Sequence, residues 1–331
     1  MSYDMGRLFE RIPSKPSADD GLPLFAFALC RAENAPSEQA HEIDAPSTSA
    51  IDSTPAIRST FTPAGYRAAV GRVIDYIRAG DVFQVNLSQR FSVPCAAPPA
   101  TIHARLLRDS PAWYGGLLDF GDFALISNSP ELFLRTTPLP DGRRRILTRP
   151  IKGTRPRRPG MDVELRDSIK DQAELNMIID LERNDLGRVC EIGSVKVTEP
   201  RTIEAHPTVY HGVATIEGIL RRDVNFVDLL RATFPGGSVT GAPKIRAMEI
   251  IEELEPVRRG PYCGAIGYLA ADGSMEFNIA IRTMIAKDGL VHIPVGGGIV
   301  ADSDPPAEYE ETLVKARAMF AALGVSPDRY L

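Results

Sequence analysis

"VFQVNLSQRFSV" occupies residues 82–93. Phe83, Val85, Leu87, Phe91 and Val93 alternate with Gln84, Asn86, Ser88, Arg90 and Ser92. A period of two sends the first set to one side and the second to the other, so the stretch is a strand with an apolar and a polar face. A helix precedes it. Thr62 suits its N-cap and Pro63 its first position, Val70, Val73, Ile74 and Ile77 form its apolar stripe, and Gly80 ends it. Further strand patterns fall at 113–119, 122–127, 131–136, 144–152, 193–198, 208–220, 263–270, 275–286 and 290–295. Helical patterns are fewer: "DQAELNMIIDLERND" (171–185), "NFVDLLRATF" (225–234), "IRAMEIIEEL" (245–254) and a last helix starting near Pro305-Pro306. Strands that arrive in runs, with few alternating βαβ units, predict an α+β fold built on large antiparallel sheets.

The 331 residues are 44% hydrophobic and 24% charged, which is enough for a large core or two layered subdomains. A net charge of −5 gives no basic field, so nucleic acid is not an expected partner. No apolar run approaches the roughly 20 residues of a membrane span, so no membrane is expected either. "MSYDMGRLFE" lacks the apolar stretch of a signal peptide. Cys30, Cys95, Cys190 and Cys263 lie far apart and form no CxxC, which reads as reduced thiols in a cytoplasmic protein. Residues 31–60 are rich in Ala, Ser, Thr, Pro and acid, and read as a flexible linker between a short piece, 1–30, and a body, 61–331.

Several stretches carry chemistry. "RPIKGTRPRRPG" (149–160) sets one lysine, Lys152, among four arginines. Arginine stays charged, whereas a lysine that is desolvated or crowded by cations becomes an amine nucleophile. The arginines at 149, 155, 157 and 158 would lower its pKa if they lie close. The commonplace alternative is an exposed lysine in a basic loop. "PGGSVTGAPK" (235–244) lacks the GxxxxGK[ST] spacing, and no GxGxxG opens a helix after a strand, so nucleotide binding is not expected. Gly296, Gly297 and Gly298 read first as a tight sheet turn, although bare backbone also admits an anion. Glu174 borders the apolar face of its helix, and Glu308, Glu311 and Lys315 share one face of the last helix. Glu311 and Lys315 could be a surface ion pair worth about 0.2–0.5 kcal/mol. Carboxylates from two helices could equally form a hard-cation site suited to Mg²⁺. The spacing leaves both open.

Read together, the segments resemble the chorismate-binding enzymes. The match is carried by "GDVFQVNLSQRF" (80–91), "SPELFL" (129–134), "RPIKGTRPR" (149–157), "AELNMIIDLERNDLGRV" (173–189) and "FPGGSVTGAPKIRAMEIIEELEP" (234–256). "GAIGYL" (264–269), "IAIRTM" (279–284), "GGGIVADSDPPAEYEET" (296–312) and Lys315 complete it, in family order. The resemblance implies an anthranilate synthase component I-like fold, with antiparallel sheets packed as a sandwich and helices outside. The anthranilate-forming members typically read P-I-A-G-T where this chain reads Pro150-Ile151-Lys152-Gly153-Thr154, and a lysine there marks the aminodeoxychorismate branch of para-aminobenzoate and folate synthesis. Asn86 points the same way, and Gln84 stands where isochorismate-forming relatives carry a water-activating lysine.

The resemblance also implies roles. Lys152 would attack C2 of chorismate while Glu131, its pKa raised by burial, protonates the leaving C4 hydroxyl. Ammonia from a glutamine amidotransferase partner would then enter at C4. Mg²⁺ would sit on Glu174 and Glu311 with Glu308 beside them. Arg282, Lys315, His211, Thr240 and the Gly296–Gly298 backbone would bind the substrate. The family's first N-terminal segments have no counterpart here, so 1–30 reads as a remnant of that subdomain. The alternatives are an anthranilate synthase component I and a truncated, non-catalytic binder of chorismate.

Overall fold

A computed structural model describes residues 1–12, 21–30 and 57–326. The chain begins with α1 (Met5–Glu10), β1 (Arg58–Ser59), α2 (Pro63–Arg78), β2 (Gln84–Pro94) and α3 (Pro99–Asp109). Five strands follow: β3 (Tyr114–Asp119), β4 (Phe123–Ser129), β5 (Leu132–Pro138), β6 (Arg144–Arg149) and β7 (Ile151–Pro156). The middle holds α4 (Met161–Asp167), α5 (Ile169–Gly187), β8 (Lys196–Ala205), β9 (Val209–Leu220), α6 (Phe226–Thr233), β10 (Gly241–Ala242) and α7 (Lys244–Leu254). The chain ends with β11 (Ala265–Leu269), β12 (Met275–Ile279), β13 (Thr283–Lys287), β14 (Leu290–Ile299) and α8 (Pro305–Ala322).

The strands form two antiparallel sheets. One runs β1-β2-β14-β13-β4-β3, with β10 also on β2; the other runs β11-β12-β5-β6-β9-β7, with β8 on β9. One continuous apolar cluster takes in Val85, Leu87 and Phe91 from the first sheet, Ile146, Ile216 and Phe277 from the second, and Val73 and Phe320 from helices. The α+β reading with large antiparallel sheets holds.

Local chemistry explains the elements. Thr62 Oγ1 accepts the Gly65 N–H at 3.0 Å and caps α2 as expected. The polar face of β2 is not turned to water: Gln84, Asn86 and Ser88 are buried, while Phe83, just outside the strand, is exposed. The pattern at 144–152 is two strands, because Pro150 has no N–H to continue the ladder. The pattern at 275–286 is also two strands, and they belong to different sheets. The chain crosses between sheets at Ala280–Arg282, where Arg282 takes a left-handed φ of 47°. A second crossing, from β4 to β5, lies beside it at Pro130-Glu131. The Ile279 N–H donates to the Glu131 carbonyl at 3.0 Å, and Ser129 Oγ donates to the Ile279 carbonyl at 2.6 Å. Gly296–Gly298 are not a turn but the interior of β14, opposite Ser88, Leu87 and Asn86. Sequence reading passed over α3, which buries Ile102 and Leu106, and α4, which buries Leu165.

The segment read as a linker, 31–60, lies outside the described residues up to 56, and its end departs from that reading. Arg58 and Ser59 pair with Ser92 and Phe91 as an edge strand. Residues 1–12 are not a separate piece: Tyr3 and Ile12 belong to the main core, and Asp4 Oδ2 accepts the Gly260 N–H at 2.8 Å.

One buried ion pair ties these parts together. Arg259 and Glu255 have side chains only 2% and 5% exposed. Arg259 Nη2 and Nε donate to the two Glu255 oxygens at 2.6 and 2.9 Å. The remaining guanidinium bonds go to the carbonyls of Val239 and Asn86. Glu255 Oε1 also accepts from the Ser88 N–H and hydroxyl, both at 2.8 Å, and Tyr3 stacks on the guanidinium at 4.5 Å. Removing one partner strands a buried charge. Arg259→Met is therefore expected to lower stability by about 3–5 kcal/mol, read as a fall in the urea midpoint; an unchanged midpoint would show that the pair holds nothing together.

Candidate active site

The glycines of β14 form the floor. A Cβ on Gly296 would lie 2.4 Å from the Leu87 carbonyl oxygen, so only glycine permits this pairing. A Cβ on Gly297 would lie 3.4 Å from both Glu308 Oε2 and Glu311 Oε1, and 3.7 Å from Lys315 Nζ. On Gly298 it would lie 2.9 Å from Gln84 Nε2 and 3.1 Å from Lys152 Nζ. Five polar side chains, from β2, β7 and α8, thus converge over two adjacent glycines.

Helix α8 delivers three of them. Asp304 caps it by accepting the Ala307 N–H at 3.1 Å. Glu308 Oε1 accepts from Ser303 Oγ at 2.6 Å, and burial raises its pKa. Lys315 Nζ donates to the Gly296 carbonyl at 2.8 Å and lies 2.7 Å from Glu311 Oε1. The ion pair and the site are the same residues: Glu311 stands half-exposed at the mouth, and Lys315 holds its pKa down.

Lys152 reaches the floor from a β-bulge. Ile151 pairs with Val213 and Thr154 with His211, so Lys152 and Gly153 together oppose Gly212. Gly153 has φ 84°, and a Cβ there would strike Leu165 and Asp171. Burial, aided by Lys315, lowers the Lys152 pKa against the pull of Glu174, Glu131 and Glu311. The neighbouring arginines are not the cause. Arg149 is bonded to Glu204, Arg155 to Glu164 and Asp171 at 2.7 and 3.0 Å, and Arg157 to the His206 carbonyl at 3.2 Å.

The sheet crossings supply the rest. Burial pushes the Glu131 carboxyl up to about 7, against the pull of Ser238, Lys152 and the Ile151 backbone. Burial lowers the Arg282 pKa, with Glu131 opposing. His211 is buried, with Nδ1 2.8 Å from Thr154 Oγ1. Burial, Arg282 and His206 drive its pKa down to about 3, so the ring is neutral. Thr240 is placed differently: its hydroxyl donates to the Gly236 and Gly237 carbonyls and closes the glycine-rich loop. Among the described residues, both amide atoms of Gln84 and Nδ2 of Asn86 are buried without a hydrogen-bond partner in the protein.

Glu174 faces Lys152, Lys170, Asp171 and Glu311, and burial raises its pKa. Among the described residues, no three His, Cys, Asp or Glu side chains are drawn close enough to hold a metal unaided. Glu308 and Glu311 still bring two carboxylate oxygens to one point over Gly297. Such a donor set fits Mg²⁺, which takes one or two carboxylates and leaves its other positions to substrate and water. Sequence reading missed Glu182, which is 7% exposed. Its signal was present: Leu175, Ile178, Ile179, Glu182 and Leu186 follow the 3, 4, 7 spacing of one buried helix face.

Among the described residues, no helix is long and apolar enough to cross a membrane. The sequence model for chorismate binding enzymes matches residues 1–321. Anthranilate synthase component 1 of Pseudomonas aeruginosa is 48% identical over 278 residues, which are 82% of this chain and 56% of the relative. Aminodeoxychorismate synthase component 1 of Salmonella typhimurium is 42% identical over 345 residues, 97% of this chain and 75% of the relative. The crystal structure of anthranilate synthase component I from Streptococcus pneumoniae superposes with a TM-score of 0.74 at 39% identity, covering 81% of this chain and 60% of that one. The chain thus spans little more than half the length of the first of these relatives. The glycine floor, the bulge and the acid-bearing helices lie within the matched residues, and the chain belongs to the chorismate binding enzyme family.

Proposed function

We propose that this chain aminates chorismate at C4, as an aminodeoxychorismate synthase component I. The observation that carries the reading is the place of Lys152. Its ammonium end lies against Gly298, with Glu131, Glu174 and Glu311 in electrostatic reach, and its pKa is lowered there. A neutral lysine amine is a nucleophile. Its attack at C2 forms a C–N bond as the ring double bonds shift and the C4 hydroxyl leaves as water, taking the Glu131 proton. Ammonia then bonds to C4, the double bonds shift back, and the Lys152 amine departs from C2. With Lys152 on C2, nitrogen is directed to C4. A carboxyl with a pKa near 7 suits the acid role at neutral pH.

The remaining residues bind and orient. Arg282 and Lys315 are cations suited to the two substrate carboxylates. Both amide atoms of Gln84 and Nδ2 of Asn86 can offer hydrogen bonds, and neutral His211 can accept or donate one. Glu174 and Glu311, with Glu308 beside them, would hold Mg²⁺, which when bound supplies Lewis-acid polarisation of the substrate carboxylate. Ammonia is expected from a separate glutamine amidotransferase. Cys190 and Cys263 are poor candidates for a glutaminase nucleophile, since burial pushes their thiols up to about 11 and about 12. The second reading is an anthranilate synthase component I, which the 48% identity to such a protein favours.

Product analysis separates the two. With chorismate, Mg²⁺ and an ammonium salt, the chain should yield 4-amino-4-deoxychorismate. Lys152→Ala should cut that product by roughly 100-fold or more, the scale of a positioned catalytic group, with residual amination drifting to anthranilate. Anthranilate as the main wild-type product would establish the second reading instead.

A metal measurement tests the acids. Glu311→Gln should weaken Mg²⁺ binding by about tenfold or more, read by calorimetric titration in the presence of chorismate, with the thermal midpoint retained. Equal Mg²⁺ affinity in both proteins would remove Glu311 from the metal site.

A further inference from the structure

Glu182 is a buried carboxyl that the proposed chemistry leaves idle. It projects from the apolar stripe of α5, and Thr148 Oγ1 donates to its Oε2 at 3.0 Å. Thr148 lies on β6 next to Arg149, which pairs with Leu132, the residue after Glu131. A Cβ on Gly237 would lie 3.4 Å from Glu182 Cγ, and Ser238, the next residue, lies beside Glu131. Glu182 and Glu131 therefore approach one turn, Gly237–Ser238, from α5 and from the sheet crossing. Both are almost wholly buried, at 7% and 4% exposure.

We propose that Glu182 is a positioning residue for Glu131: the two carboxyls form one coupled pair, in which Glu182 keeps a proton and returns it to Glu131 after Glu131 has discharged. The second half rests on the acid role given to Glu131 above. The proton count closes. Glu131 gives its proton to the departing C4 hydroxyl, Glu182 passes its proton to the Glu131 carboxylate, and solvent recharges Glu182.

The surrounding charges decide which carboxyl ionises first. Facing Glu182 are Glu131 from the crossing, Asp185 from its own helix and Lys244 from α7. Lys244 is committed to Asp185 at 2.5 Å. Facing Glu131 are Lys152, Lys315 and Arg282, with Cys263 also in reach. The cations thus gather on Glu131 and leave Glu182 the weaker acid. Burial, then the Glu131 charge, pushes Glu182 up to about 8, whereas Glu131 stands at about 7. As pH rises, Glu131 ionises first, and its charge holds the proton on Glu182.

Titration of protein labelled with ¹³C at the glutamate carboxyls, followed by NMR, tests the pair without turnover. Glu131→Gln and Glu182→Gln assign the two resonances. In Glu131→Gln the Glu182 step should fall by roughly half a pH unit or more, because the raising charge is gone. In Glu182→Gln the upper step should vanish while Glu131 stays near 7. Should Glu131→Gln fail to fold, Glu131→Ala serves: it removes the same charge, so the Glu182 step should likewise fall. A Glu182 step unmoved in these variants, or a Glu182 ionised at neutral pH, overturns the pair. The pH profile of kcat tests recharging. In the wild type activity should persist above the Glu131 step at about 7, whereas in Glu182→Gln it should fall away at that step; identical limbs overturn that half. A wild type that does not turn over chorismate overturns both the acid role and the recharging, while the NMR titration still decides whether the carboxyls are coupled.

Discussion

Residues 85–94 of β2 pair with residues 290–299 of β14 in an unbroken ladder from Leu290 opposite Pro94 to Ile299 opposite Val85. The site is built on this ladder. At Gly296 the facing backbone comes so close that a methyl group would strike the Leu87 carbonyl. A Cβ at Gly298 would meet Gln84 and Lys152. Glycine weakens a strand interior, and here the missing side chains leave room for Gln84 and Lys152 to lie against the sheet. Arg259 and Glu255 hold the other strand of the ladder by bonding the Asn86 carbonyl and the Ser88 N–H. Through Val239 the same guanidinium positions the glycine-rich loop.

The second constraint is the exchange of strands between sheets. The chain passes from β4 to β5 at Pro130-Glu131 and from β12 to β13 at Ala280–Arg282. Each passage interrupts a ladder and frees a residue to point inward, which is how Glu131 and Arg282 reach the site. The two passages brace each other through Ile279 and Ser129. Arg282 keeps a left-handed φ, a conformation that a non-glycine residue adopts at some cost. The bulge at Lys152-Gly153 is a smaller device of the same kind: it breaks the alternation of β7 and re-aims one side chain.

Burial then tunes the groups so placed. Carboxyls at Glu131, Glu174, Glu182 and Glu308 are all raised, while Lys152 and His211 are lowered. Desolvation acts against charge of either sign, so one environment raises the pKa of its acids and lowers that of its bases. Glu311 departs from the pattern because Lys315 pairs with it at the mouth.

The sequence by itself determined the periodic elements: the alternation of β2, the capped α2, and the runs of strands that mean antiparallel sheets. It also carried the family motifs, and with them the residues around the glycine floor. These depend on local chemistry or on short spacings, which a linear string preserves. Only the tertiary structure decided which sheet each strand joins. The pattern at 275–286 reads as one strand because buried apolar residues recur through both halves, and nothing in it marks a change of sheet. The arginines around Lys152 read as the source of its lowered pKa, yet three of them find partners of their own, and the depression comes from burial and from Lys315, distant by more than 160 residues. The same limit hid Glu182: its place on an apolar stripe was legible, but its neighbour Glu131 comes from another part of the chain. Electrostatic coupling depends on separation in space, and the fold alone sets that separation.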